Sequence, residues 1–128
     1  MNMKNLILIL ILNLTLNSWA QEKKCSDFKV GKFTYSDPDY ADLITVRTDS
    51  FQIDSYPKMG WKMTSRVEWL TDCKYEIVYI KVNDSKMESL IGIKYVIEII
   101  GIDDNKIICK TESDGITVEK EMIKTETE

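Results

Sequence analysis

Three cysteines, Cys25, Cys73 and Cys109, are the residues best suited to chemistry in this 128-residue chain. A cysteine attacks as its thiolate, which forms only beside a base or a cation. The chain contains no histidine. Ser-His and Cys-His dyads are therefore excluded, and with them the commonest general base and metal ligand. Only Lys24, Lys74 or Lys110 could lower a thiol's pKa, and no CxxC pair offers zinc two thiolates. The acids are no more specific. Asp37, Asp39 and Asp42, and the corner Asp103-Asp104-Asn105, lack the glycine and glutamate of an EF-hand loop. Aspartates at such breaks form turns. A carboxylate pair for glycoside hydrolysis cannot be singled out among 21 acidic residues. The sequence thus assigns no catalytic residue, no metal and no cofactor.

The chain start bears on where these residues work. Residues 1–20 read as a secretory signal peptide: Lys4, then the apolar run LILILILNLTL, then NSWA with small residues Ser18 and Ala20 before a cut. Asn13 and Asn17 interrupt the run, which is short for a bilayer span. Residues 21–128 then form a single β domain with no transmembrane span, exported to the periplasm or beyond. Without Lys4 the 17 basic residues become 16, which against 21 acidic ones leaves a net charge of −5. Such a chain is no electrostatic partner for nucleic acid or anionic membrane.

The elements that must position the chemistry are strands. Apolar residues recur with period two, not 3.6. Phe33 and Tyr35 alternate with Lys32 and Thr34; Phe51 and Ile53 with Gln52 and Asp54; Met63, Ser65, Val67 and Trp69 with charged or polar neighbours. Ile93 to Ile99 and Ile116 to Val118 repeat the pattern. Turn residues break the runs at 36–42, 48–50, 56–60, 70–72, 83–92 and 103–105. The expectation is about eight strands, at 31–36, 43–48, 51–56, 62–70, 73–82, 93–102, 106–111 and 115–124. Short turns make sequential strands antiparallel neighbours, an up-and-down meander. A sheet with one apolar face must bury it, by curling into a small barrel or half-barrel. A β-sandwich is the alternative. An immunoglobulin-type sandwich would place a tryptophan between two bonded cysteines, and none lies between Cys73 and Cys109.

The opening Gly31-Lys32-Phe33 resembles the Gly-x-aromatic start of lipocalin-like barrels. That resemblance implies an aromatic plug at the closed end, with Lys124 of the last strand standing where a lipocalin places an arginine over the ring. The chain also resembles a group of small secreted bacterial proteins of unknown function. The shared scaffold reads Cys25-x-x-Phe28-x-x-Gly31-x-Phe33-x-Tyr35, then Arg47 and Gln52, then Trp69-x-x-x-Cys73-x-Tyr75, Ile91-Gly92 and Glu121-Met122-Ile123-Lys124. Members of that group are sometimes labelled as a DNA topoisomerase IV. An acidic, histidine-free domain of 108 residues does not suit that activity, which needs a large machine with a basic DNA channel.

Three cysteines allow one disulfide and one spare thiol. In a meander, strands 1, 3, 5 and 7 start at the same end. Cys25 precedes the first strand and Cys73 opens the fifth, so both lie at that end. Cys109 lies about 13 Å along the seventh, beyond the roughly 7 Å that a disulfide tolerates between Cα atoms. Cys25–Cys73 is the expected pair, and Cys109 a buried small hydrophobe. Phe33, Phe51, Trp69, Tyr75, Tyr79 and Tyr95 are the candidate interior residues, filling the barrel or lining a cavity. Short strands make the interior narrow, with room for a small apolar ligand. A partner protein of the cell envelope is the alternative occupant of the surface.

Overall fold

A computed structural model describes residues 22–126. The proposed signal peptide lies outside the described residues. Eight strands close into one antiparallel barrel in sequence order. They are β1 (Gly31–Tyr35), β2 (Ile44–Arg47), β3 (Phe51–Tyr56), β4 (Trp61–Thr71), β5 (Lys74–Val82), β6 (Lys94–Asp103), β7 (Lys106–Ser113) and β8 (Ile116–Glu126). The meander is the expected one, and closure decides between barrel and half-barrel. β1 pairs with β8 through Phe33 opposite Lys124 and Tyr35 opposite Met122. No sheet edge is left in the ring, so no row of unpaired backbone groups faces water there.

Local chemistry explains the corners. Asp114 and Gly115 both adopt positive φ, 50° and 77°, between β7 and β8. An Asp-Gly pair tolerates this left-handed turn, whose twist matches that of the flanking strands. Asp84 and Asp37 each accept a backbone N–H two residues on, capping short 3₁₀ turns at Ser85–Leu90 and Pro38–Tyr40. These acids make turns, as expected for Asp37.

The two ends of the barrel differ. At one end a 3₁₀ turn, Cys25–Phe28, crosses the opening. Phe28 and Phe33 are fully buried there, with Ile99 and Ile107 packed into the same core. The Cys25–Cys73 disulfide fixes this turn to the start of β5, with Cα atoms 5.1 Å apart. The pairing is the one expected from topology. Cys109 is the free cysteine, 1 % exposed.

The expectation fails in β3. Phe51 was expected inside and is 47 % exposed, whereas Gln52 and Asp54 point inward and are buried. The reason lies in β2. The tight corner, where Thr48 N–H donates to Phe51 O at 2.8 Å, sets Gln52 opposite Arg47 and Asp54 opposite Thr45. Once Arg47 and Thr45 face inward, their partners must too, because opposite residues share a face. A one-residue slip of β3 would turn Phe51 and Ile53 inward but take Gln52 from Arg47 and Asp54 from Thr45.

Candidate functional site

Arg47 is the centre of the closed end. It is fully buried. Its Nε donates to Lys29 O and Nη2 to Phe28 O, both at 2.9 Å. Its Nη1 donates to Gln52 Oε1 at 2.8 Å and Tyr75 Oη at 2.9 Å. The guanidinium also lies over the rings of Tyr75, Phe33 and Trp69, at 4.5, 4.7 and 5.8 Å. A planar cation with fixed donors suits this combination of forked bonding and ring stacking; a lysine would not. The cation over the plug aromatic Phe33 therefore comes from β2. Lys124, where the lipocalin resemblance placed it, instead donates to Asp27 O at 2.6 Å.

From Arg47 a chain of hydrogen bonds climbs the inner face of β2 and β3. Gln52 bridges, accepting from Arg47 and donating from Nε2 to Asp54 Oδ2 at 3.1 Å. Thr45 Oγ1 donates to Asp54 Oδ1 at 2.5 Å. That uses the one hydroxyl proton of Thr45, so Tyr35 Oη, 2.8 Å away, donates to Thr45. Burial pushes the Asp54 carboxyl up; the bonds from Thr45 and Gln52 and the charges of Arg47 and Lys120 pull the other way. Tyr35 is raised well above its usual value by burial first and Asp54 second. Burial also pushes Tyr75 up to about 12, against the pull of Arg47.

Above this relay the barrel is hollow. A cup of about 190 Å³, open on one side, lies against the relay. Tyr35, Gln52 and Asp54 form its polar wall, and Met63, Ile77, Ile97 and Met122 are among its apolar lining. Tyr79 and Tyr95, on the neighbouring strands β5 and β6, meet edge-to-face in its lining, with ring centroids 5.6 Å apart. Burial and then Asp54 drive the Tyr79 hydroxyl far above its usual value. Lys120 lines the mouth, half-buried, its ammonium 4.3 Å from the centre of the Tyr40 ring. Desolvation lowers its pKa, partly offset by Asp54 and Asp37.

The sequence candidates divide accordingly. Tyr75, Tyr79 and Tyr95 line the cup. Phe33 is the plug beneath it, and Trp69 is half-buried against Tyr75 with centroids 4.5 Å apart. Phe51 is outside the barrel. The sequence put Tyr35 on the apolar face of the first strand and Tyr35 and Arg47 in the shared scaffold, but gave neither a site role, nor any role to Asp54 or Lys120. One signal was available: the chain has only two arginines, Arg47 and Arg66, among 17 basic residues. An arginine in a lysine-rich chain marks a place where the fork matters.

No group of three or more metal-ligating side chains occurs among the described residues. Burial pushes the Cys109 thiol up to about 11, so it stays a thiol. Comparison with known protein families, curated proteins and solved structures finds no match to this chain.

Proposed function

We propose that this chain is an exported, non-enzymatic, lipocalin-like binding protein that holds one small molecule in its cup. The observation that carries the reading is the cup itself: about 190 Å³, apolar on one wall, with a buried carboxylate and tyrosine hydroxyls on the other. A dry apolar cavity of roughly 150 Å³ is enough to take up benzene. The space here suits a ligand of at most about a dozen non-hydrogen atoms, smaller than the usual drug-sized site. The Cys25–Cys73 bridge supports export, since structural disulfides persist in oxidising compartments. The non-enzymatic part rests on protonation. Tyr35, Tyr79 and Cys109 are all held in their neutral forms by burial, so the cup presents no activated hydroxyl or thiol.

A second reading is an interaction module of the cell envelope. Ile116 and Val118 favour it: both are exposed, at 68 % and 45 %, at the start of β8 beside its hairpin. Native mass spectrometry of protein purified from its own host separates the two. A small molecule released in a one-to-one ratio supports the cup; an empty cup with a co-purifying protein, lost on Ile116→Ser, supports the module.

A further inference from the structure

The cup contains a buried carboxyl group without a contacting counter-charge. Asp54 is 5 % exposed. Its hydrogen-bonding partners are neutral: Thr45, Gln52 and the Tyr79 hydroxyl. Arg47 reaches it only through Gln52, and its own hydrogen bonds go to Lys29, Phe28, Gln52 and Tyr75. An ionised carboxylate offers about four acceptor positions, and these three neutral donors bring it no positive charge. A buried charge that lacks a contacting partner is costly, and a cation brought against it relieves the cost.

The surroundings suit the same kind of partner. Tyr79 and Tyr95 bring electron-rich rings and hydroxyl oxygens to the cup beside Asp54. Cations already rest on aromatic faces at both ends of this barrel, Arg47 over Tyr75 and Lys120 over Tyr40. An anionic ligand would meet Lys120 at the mouth but would place its charge in the same low-dielectric space as Asp54. Lys120 is half-exposed and its charge is moderated by water; that of Asp54 is not.

We propose that the cup selects a small organic monocation, an ammonium on an apolar body, with the ammonium set between Asp54 and the Tyr79–Tyr95 pair and the body against Ile77, Ile97 and Met122. This inference rests on the reading of the barrel as a ligand-binding protein. Three probes of nearly equal shape separate the two: 2-phenylethylammonium, 2-phenylethanol and phenylacetate, each titrated calorimetrically into residues 21–128 at neutral pH. The ammonium is expected to bind at least about tenfold more tightly than the alcohol, with the acid weakest of the three. Asp54→Asn removes that preference, bringing the ammonium's affinity down to about that of the alcohol. Because Asp54 is buried, Lys120→Met at the mouth provides a variant that leaves the interior intact. It raises the ammonium's affinity severalfold by removing a like charge. An alcohol or acid that binds as tightly as the ammonium overturns the inference and leaves the cup standing, as does a Lys120→Met that weakens ammonium binding. Failure of all three probes to bind removes the ligand-binding reading and this inference with it.

Discussion

Replacing Arg47 by methionine tests the closed end most severely. The substitution keeps the volume and the apolar stem but removes the guanidinium. Four acceptors lose a donor: the carbonyls of Phe28 and Lys29, Gln52 Oε1 and Tyr75 Oη. Each buried group left unpaired costs about 1–3 kcal/mol, and the lower figure for four groups gives about 4 kcal/mol. That agrees with the roughly 3–5 kcal/mol for breaking a buried ionic network on one side. The loss also depends on pH. Asp54 has a folded pKa raised above its unfolded value, so its contribution favours the fold in acid and is lost as pH rises through the folded pKa. Arg47 holds that pKa down; without it the pKa climbs further and the penalty for an ionised Asp54 grows. Lys120, the other cation that faces Asp54, also pulls that pKa down and is present in both proteins, so it does not alter the sign. Urea unfolding with the disulfide intact, followed by tryptophan fluorescence, should show a loss of about 4 kcal/mol at pH 7 and a smaller loss at pH 4. Arg47→Lys should fall between wild type and methionine. A loss under about 1 kcal/mol at pH 7, or one that grows in acid, would refute the reasoning.

Four further outcomes follow from the same geometry. Phe33→Ala should cost about 3–5 kcal/mol, because it empties the space under Arg47. Phe51→Ser should change stability by less than about 0.5 kcal/mol, and a large loss would restore the inward orientation that the structure rejects. Thiol titration should find one reactive thiol, that of Cys109, in unfolded unreduced protein and three after reduction. Replacing both Cys25 and Cys73 by serine should remove on the order of 4 kcal/mol for a loop of 48 residues, measured by the same urea titration.

The strands were legible because their signals are local. Period-two alternation and turn residues fix each hairpin within a few positions, and eight sequential strands joined by short turns leave little choice of topology. The disulfide was legible for a related reason: parity along a meander puts Cys25 and Cys73 at the same end. β3 was misread because Phe51-Gln52-Ile53-Asp54 has one apolar and one polar face, and burial of the apolar face is the default. Here the default loses to Arg47, whose bonds reach residues 18, 5, 28 and 19 positions away. Such a network has no local periodic signature. The cup was not legible either. Whether Tyr75, Tyr79 and Tyr95 fill a barrel or line a hollow depends on strand tilt and stagger, which belong to the closed ring and not to any one strand.

The occupancy of the cup is open to direct measurement through its methionines. Met63 and Met122 line the cavity, whereas Met59 is exposed on the β3–β4 corner. With ¹³C-methyl-labelled methionine and 2-phenylethanol as probe, a ligand seated in the cup should shift the Met63 and Met122 methyl signals saturably and leave Met59 still. Unmoved Met63 and Met122 signals at saturating probe, or shifts confined to Met59, would contradict the account.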